Sequence, residues 1–377
     1  MIITNGRVFC EDGVFRDIDV EILDGTITAI GNNVDSSKGE VLDAKGCFVI
    51  PGLVDIHTHG AVGVDFCDAS KEGAEDIAKY FLKNGVTSFL GTTMTVPEED
   101  LAKAYLALAP LVGARKSGQA TLQGFNMEGP FFSLKRCGAQ NPEYLSPAKV
   151  DMFERLYNVS GGTIKTVAVA PEIEEASDFI SKVSQYCSVS LAHTDACYEV
   201  AKEGFLLGAN HVTHLFNGMA PFTHREPGLV GAAVDAGAFV ELISDGVHIH
   251  PTVVRSVFKL FGDDKVCLIS DAMRACGLGD GEYDLGGQSV TVKGALATIE
   301  NGSLAGSVTT LMDCLRKAIS FGVPVESAIK AATINPAKAI SIDDEVGSIS
   351  VNKVGDIVLL DEEYAIKTVL SNGVVAF

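Results

Sequence analysis

The central part of the chain alternates short apolar runs with segments in which apolar residues recur every three or four positions. Eight of the apolar runs are strand candidates, and they lie at 48–57, 88–95, 120–128, 163–170, 188–193, 211–215, 239–244 and 266–271. Helical spacing appears between them, for example at 74–84 and 200–207. The repeat predicts an α/β fold, a (β/α)8 TIM-type barrel, although a doubly wound open sheet has the same local pattern.

The two ends of the chain follow a different pattern, in which short strand-like runs are separated by glycine turns such as Asp24-Gly25 and Asn372-Gly373. We expect both ends to pair into one small, discontinuous β-sandwich of residues 1–51 and 346–377, with the barrel formed by residues 52–345. A β-rich insertion at 283–304 is predicted after the eighth strand. Helical segments near 308–319 and 325–332 follow it.

Composition and charge exclude several classes of function. The chain has 29 lysines and arginines against 49 aspartates and glutamates, a net charge of −20, so we expect no nucleic-acid partner. No apolar stretch approaches the roughly 18 residues that cross a bilayer, and residues 1–11 lack the features of a signal peptide. We therefore expect a cytoplasmic protein with no membrane partner. Nine scattered cysteines without a C-x-x-C pair indicate reduced thiols.

Residues that can bind a metal ion follow several of the predicted strands. His57 and His59 are two positions apart, so both imidazoles face the same side of an extended chain and can reach one ion. Glu128, His193 and His214 follow the third, fifth and sixth candidates. In a barrel these side chains would converge, because all the strands end at the same mouth. The alternatives are a histidine pair in a polar loop and a salt bridge at Glu128.

Asp271 closes the eighth strand candidate. A carboxylate at the bottom of an apolar pocket is costly unless a charged or hydrogen-bonding group compensates for its burial. Beside a metal-bound water it would accept the water proton and pass it to the leaving group. The alternative is a helix N-cap after strand eight.

These residues lie in motifs that resemble the amidohydrolase superfamily and, within it, the family of N-acetylglucosamine-6-phosphate deacetylases. The motifs are found, in the family's order and over nearly the whole chain, at 51–60, 126–131, 192–194, 213–219, 224–228, 244–248, 270–272 and 304–306. The resemblance implies that Glu128, His193 and His214 bind a divalent metal, and that Asp271 is the general acid and base. His57 and His59 leave room for a second ion bridged by Glu128. We expect one or two ions of Zn, Fe, Mn or Co per chain.

The resemblance also implies a reaction and a substrate. The reaction is hydrolysis of the acetamide of an amino-sugar phosphate, N-acetyl-D-glucosamine 6-phosphate, by a metal-activated hydroxide in a homodimer. The implied substrate contacts are Ala139, Gln140, Asn217, Gly218, Arg225, His248, Leu304, Ala305 and Gly306. Arg225 and His248 would bind the phosphate, and one hypothesis is that Arg225 reaches the pocket of a neighbouring subunit. Many relatives have histidine where this chain has Gln140, which can donate a hydrogen bond but not a proton.

Two other functions stay open at this point. The chain could be a different amidohydrolase, such as a cyclic-amide hydrolase or a deaminase, or a non-catalytic relative that keeps the barrel as a binding module. The second is disfavoured because such relatives usually lose metal ligands. The sequence contains neither the G-x-S-x-G elbow of serine hydrolases nor a Walker loop.

Overall fold

Among the residues that the structure describes, seven short strands open the chain, and tight turns separate most of them. The computed structural model describes residues 1–32, 34 and 39–377. The opening strands are β1 (Ile2–Thr4), β2 (Arg7–Phe9), β3 (Phe15–Asp17), β4 (Asp19–Leu23), β5 (Thr26–Gly31), β6 (Val41–Asp43) and β7 (Phe48–Pro51).

Strands and helices alternate in the next part of the chain. These elements are β8 (Leu53–Asp55), β9 (Gly60–Ala61), β10 (Val64–Asp65), α1 (Lys71–Lys83), β11 (Val86–Thr93), α2 (Glu98–Leu108), β12 (Thr121–Met127), α3 (Val150–Val159), β13 (Ile164–Val169), α4 (Ala176–Val183), β14 (Ser188–Leu191), α5 (Tyr198–Leu206), β15 (His211–Val212), α6 (Gly228–Ala236), β16 (Phe239–Leu242), α7 (Pro251–Phe261) and β17 (Val266–Leu268).

The remaining elements complete the insertion and the C-terminal segment. They are β18 (Gly281–Leu285), β19 (Gln288–Lys293), β20 (Leu296–Ile299), α8 (Leu311–Ser320), α9 (Val325–Ala332), α10 (Ile334–Ala339), β21 (Ile357–Leu360), β22 (Ile366–Ser371) and β23 (Val374–Val375). Strands β18 to β20 form an antiparallel sheet, the insertion predicted after the eighth barrel strand. Its Leu285 and Val290 share a buried cluster with Met94 and Met273.

Strand β8 and strands β11 to β17 form one parallel sheet, and their order in space follows their order in the chain. The first and last strands approach each other beyond their carboxyl ends. There the Asp271 N–H donates to the His57 carbonyl at 2.9 Å, and the His59 N–H donates to the Ala272 carbonyl at 2.7 Å. The predicted TIM-type barrel is confirmed. The open-sheet alternative is wrong, because a doubly wound sheet reverses its strand order.

The chain termini meet in two further sheets, ordered β5-β4-β1-β6 and β23-β22-β21-β7-β2-β3. Antiparallel pairing of β7 with β21 joins the two ends, with Val49 opposite Leu359. Apolar side chains of both sheets, among them Ile3, Val20 and Leu359, form a separate buried cluster. The two sheets fit the expected small β-sandwich. We propose residues 1–51 and 346–377 as its boundaries.

Helix α1 illustrates how the sequence builds the outer layer. The Ser70 hydroxyl accepts the Gly73 N–H at 3.0 Å, so the helix begins at Lys71, three residues before the predicted start. Ile77 and Phe81 point inward and are buried against the sheet. Among the residues described, none of the helices has the length and hydrophobicity needed to cross a membrane.

Candidate active site

Six polar side chains meet at the carboxyl ends of the barrel strands. All six are at least nine-tenths buried, and they are His57 and His59 after β8, Glu128 after β12, His193 after β14, His214 after β15 and Asp271 after β17. The structure therefore brings together the six residues that the sequence analysis places at the mouth of the barrel.

Three of these residues have an unusual backbone conformation. His193, His214 and Asp271 have φ angles of 44°, 28° and 49°, in the left-handed region that side chains other than glycine avoid. Such conformations cost roughly 1–3 kcal/mol each and persist where the surroundings enforce them, commonly at functional sites. The apolar runs predicted strands that continue to these residues, but the strands end two or three residues earlier. His193, His214 and Asp271 therefore lie in the loops that follow the strands.

The first potential metal-binding group consists of Glu128, His193 and His214. Glu128 Oε1 lies 2.9 Å from His214 Nε2 and 3.3 Å from His193 Nε2, and the two Nε2 atoms are 3.1 Å apart. Ligands held 2.0–2.1 Å from one zinc ion at tetrahedral angles are roughly 3.3 Å apart. His193 Nδ1 is 2.9 Å from the Arg136 carbonyl, a bond that leaves Nε2 for an ion. These residues fit a divalent cation.

A second group shares Glu128 with the first and adds His57 and His59. The Nε2 atoms of the two histidines are 3.4 Å apart, and His59 Nε2 lies 3.3 Å from Glu128 Oε2. In each group the candidate ligand atoms all lie within 4.8 Å of one another. Glu128 belongs to both groups, with Oε1 3.7 Å from His57 Nε2 as well as close to His193 and His214, so the residues present fit up to two divalent cations that would share this carboxylate.

Asp271 lies beside the second group. Its Oδ1 is 3.3 Å from His59 Nε2 and 3.5 Å from His57 Nε2, and its side chain reaches the cavity above. The carboxylate can therefore act on a molecule that binds next to the metal-binding groups.

The electrostatics of the cluster favour a cation. Burial by itself would raise the pKa of Glu128 and of Asp271, but the surrounding imidazoles hold the pKa of both below the usual range. Burial would lower the pKa of His57, yet the carboxylates of Glu241, Glu128 and Asp271 raise it to about 10. In the part of the chain described, no lysine or arginine pairs with these three carboxylates. A divalent ion bound here would take the place of the imidazole protons as the positive charge beside the carboxylates.

A cavity of about 350 Å³ opens above the cluster. Seven of the nine predicted substrate contacts line it, and these are Ala139, Gln140, Asn217, Gly218, His248, Leu304 and Gly306. Ala305 is fully buried, behind its lining neighbours. Arg225 lies on an exposed loop and is not among the described residues that line the cavity of its own chain. Its contact with phosphate stays a prediction.

Gln140 has both ends of its side-chain amide engaged. Its Oε1 accepts the Thr95 N–H at 2.8 Å, and its Nε2 donates to Glu128 Oε2 at 2.7 Å. Gln140 therefore orients the carboxylate shared by the two metal-binding groups. Its contact with substrate also stays a prediction.

The sequence prediction missed Glu241, which is fully buried on β16. Its carboxylate lies 2.8 Å from His57 Nδ1 and 3.1 Å from His211 Nε2. A signal was present, because Glu241 is a lone acid in the apolar run 239–243. The prediction considered only residues at strand ends, and this one lies within a strand.

Comparison with known proteins places the chain in a family. The model of the Amidohydrolase family matches residues 48–376, which include the barrel and all six clustered residues. The chain belongs to the amidohydrolase family. The resemblance to the amidohydrolases that the motifs indicate is thus confirmed.

The chain is similar to relatives of known activity. It is 35% identical to the N-acetylglucosamine-6-phosphate deacetylase of Bacillus subtilis, an alignment that covers 100% of this chain and 97% of the relative. It is 32% identical to the N-acetylgalactosamine-6-phosphate deacetylase of Escherichia coli O157:H7, covering 98% and 97%. The crystal structure of N-acetyl-D-glucosamine-6-phosphate deacetylase from Mycobacterium smegmatis has a TM-score of 0.93 with 29% identity, covering 100% of both chains.

Proposed function

We propose that this amidohydrolase hydrolyses the acetamide of N-acetyl-D-glucosamine 6-phosphate to D-glucosamine 6-phosphate and acetate. The observation that carries the proposal is the convergence of Glu128, His193 and His214 beside Asp271 at the floor of one cavity. The relatives that match over the full length and carry the name of this activity support the choice of substrate.

Glu128, His193 and His214 would hold one divalent ion, and His57 and His59 would hold a second together with Glu128. When bound, the ion polarises a carbonyl oxygen and lowers the pKa of a water molecule towards neutrality. Imidazole and carboxylate ligands suit Zn, Fe, Mn or Co.

In this proposal Asp271 acts first as the general base and then as the general acid. Because the imidazoles keep its pKa low, the carboxylate is ionised at neutral pH and can accept a proton from the attacking water. The resulting carboxylic acid is a strong donor and passes the proton to the nitrogen of the leaving amine. Protonation of nitrogen allows the C–N bond to break, since an amide anion is a poor leaving group.

The remaining cavity residues would bind the sugar phosphate. The net charge of −20 repels an anionic substrate at long range, so local cations have to attract the phosphate. His248 is one candidate for contact with the phosphate, and its Nδ1 lies 2.8 Å from Asp245 Oδ2. Arg225 is the other, and in a homodimer its exposed loop would bring it to the cavity of the neighbouring subunit. We also propose a cytoplasmic location, as the sequence leads us to expect.

Acetate release by the metal-loaded protein tests the substrate. We expect turnover of N-acetyl-D-glucosamine 6-phosphate, with kcat/KM at least about 100-fold lower for the sugar without phosphate, because a site built for a charged group loses those bonds. N-acetyl-D-galactosamine 6-phosphate is the second candidate substrate, favoured by the relative from Escherichia coli O157:H7. Absence of acetate release from both sugar phosphates would refute the proposal.

The same assay separates the other hydrolase reactions. Turnover of hydantoin, dihydroorotate or adenine in place of the sugar phosphates would identify a cyclic-amide hydrolase or a deaminase. A non-catalytic barrel is disfavoured because all five candidate ligands and Asp271 are retained.

A further inference from the structure

Glu241 is a fully buried carboxylate within strand β16. The other three residues of this strand, Phe239, Val240 and Leu242, are apolar. Burying a carboxylate is costly unless other groups compensate for its lost hydration. Within the described residues it pairs with no lysine or arginine, only with histidines. Its presence therefore needs an explanation beyond the stability of the sheet.

The carboxylate determines which nitrogen of His57 carries the proton. Glu241 Oε2 lies 2.8 Å from His57 Nδ1, and an ionised carboxylate can only accept hydrogen bonds. His57 Nδ1 must therefore be the donor. When a cation displaces the Nε2 proton, the proton on Nδ1 stays and the lone pair lies on Nε2, which is 3.4 Å from His59 Nε2 and 3.7 Å from Glu128 Oε1. Binding of a metal through Nε2 requires this tautomer.

Two further donors hold the carboxylate in place. Oε2 also accepts the backbone N–H of His214 at 3.1 Å, and Oε1 faces His211 Nε2 at 3.1 Å. His211 is fully buried and belongs to neither metal-binding group. Glu241 therefore contacts three groups, and among the described residues His57 is the only candidate ligand whose imidazole it contacts.

We infer that Glu241 is a positioning residue for His57, and that the second cation position, formed by His57, His59 and Glu128, depends on it. Its carboxylate orients the imidazole, strengthens it as a ligand and adds a negative charge behind the cation. The first position, formed by Glu128, His193 and His214, receives only a backbone bond from Glu241. This inference rests on the metal site of the proposed function and not on the substrate.

The test is stepwise metal binding. Protein freed of metal with a chelator is titrated with Co²⁺ by calorimetry, and the number of ions per chain is checked by elemental analysis. We expect wild type to bind two ions. In Glu241→Gln the amide oxygen can still accept from His57 and His214, but the charge is gone. The second ion should bind about 10–100-fold more weakly, and the first within about threefold of wild type.

A matched control separates positioning from general loosening of the core. His211→Gln changes a buried partner of the same carboxylate and leaves the bond to His57 in place, so affinity for the second ion should stay within about threefold. If Glu241→Gln does not fold, Glu241→Asp keeps the charge but withdraws it from His57, and we expect about a tenfold loss at the second position.

Several results would overturn the inference. They are a wild type that binds one ion, a Glu241 variant with two unchanged affinities, equal losses at both positions, and a His211→Gln protein as impaired as Glu241→Gln. The proposed function is tested independently of this inference. If metal binding follows the prediction but no acetate is released, only the substrate assignment is wrong.

Discussion

At the scale of single residues, Glu128 is the group on which the whole site depends. Its Oε1 lies 2.9 Å from His214 Nε2, its Oε2 lies 3.3 Å from His59 Nε2, and Gln140 donates to Oε2 at 2.7 Å. Asp271 differs from it, because it belongs to neither metal-binding group. The two carboxylates should therefore respond differently to the same change of acid to amide.

Glu128→Gln should lose metal and activity together. An amide has one ligand oxygen and no charge, so it cannot serve both groups, and we expect fewer ions per chain and acetate release lower by at least about 10³-fold. Elemental analysis and the acetate assay measure the two effects. A variant with wild-type metal content and turnover would contradict the shared-ligand assignment.

Asp271→Asn should keep its metal and lose turnover. The amide fills the same space but cannot accept a proton, and general acid–base catalysis commonly contributes 10²–10⁴-fold. We expect kcat to fall by about that factor while metal content stays at the wild-type level. Full activity in this variant would show that another group carries the proton.

At the scale of elements, the loops after the barrel strands support one another. The loop after β15 contacts the loop after β14, where the Thr194 N–H donates to the Gly218 carbonyl at 3.0 Å. Gly218 has φ +60°, and a Cβ there would lie 2.8 Å from His193 Nδ1. Glycine is therefore required both for the backbone conformation and for the space that His193 occupies.

Gly218→Ala should displace His193 and weaken the first metal position by about tenfold or more, with a matching loss of acetate release. Gly237→Ala is the matched control. Gly237 also has a left-handed backbone, with φ +61°, at the end of α6, but a Cβ there meets no atom within 4 Å. The control should lose about 1 kcal/mol of stability and no metal affinity. Equal metal affinities in the two variants would contradict the steric argument.

At the scale of the whole molecule, the C-terminal segment is tied to the start of the barrel through Asp356. Its carbonyl accepts the Gly52 N–H at 2.9 Å, and its carboxylate accepts the Asn372 N–H at 2.7 Å. The other carboxylate oxygen is buried without a partner among the described residues. Burial raises the pKa of Asp356 to about 6.

This raised pKa makes stability depend on pH. The native state holds the proton more tightly than the unfolded state, so the ionised carboxylate destabilises the fold above pH 6, and the penalty disappears as pH falls towards 4. Asp356→Asn should therefore stabilise the protein by roughly 2–3 kcal/mol at pH 8 and by nothing near pH 4. Denaturant unfolding at both pH values measures this, and a pH-independent difference would contradict it.

Much of the fold and of the site follows from local patterns in the sequence. The apolar runs and helical spacing predict the barrel because strand and helix place side chains with different periods. The histidines and acids stand at the ends of those runs, so barrel topology alone brings His57, Glu128, His193, His214 and Asp271 to one mouth. The family motifs identify the same residues.

Other features were decided only by the tertiary structure. Glu241 contacts His57, which is 184 positions away in the sequence. The side-chain amide of Gln140 donates to Glu128 instead of pointing into the cavity without a partner. Neither pairing leaves a local signal, because each depends on which side chains the closed sheet places within about 3 Å of one another. Sequence patterns record the period of each element and the order of the strands, whereas hydrogen-bond partners and protonation states are set by distances that exist only after the strands have closed.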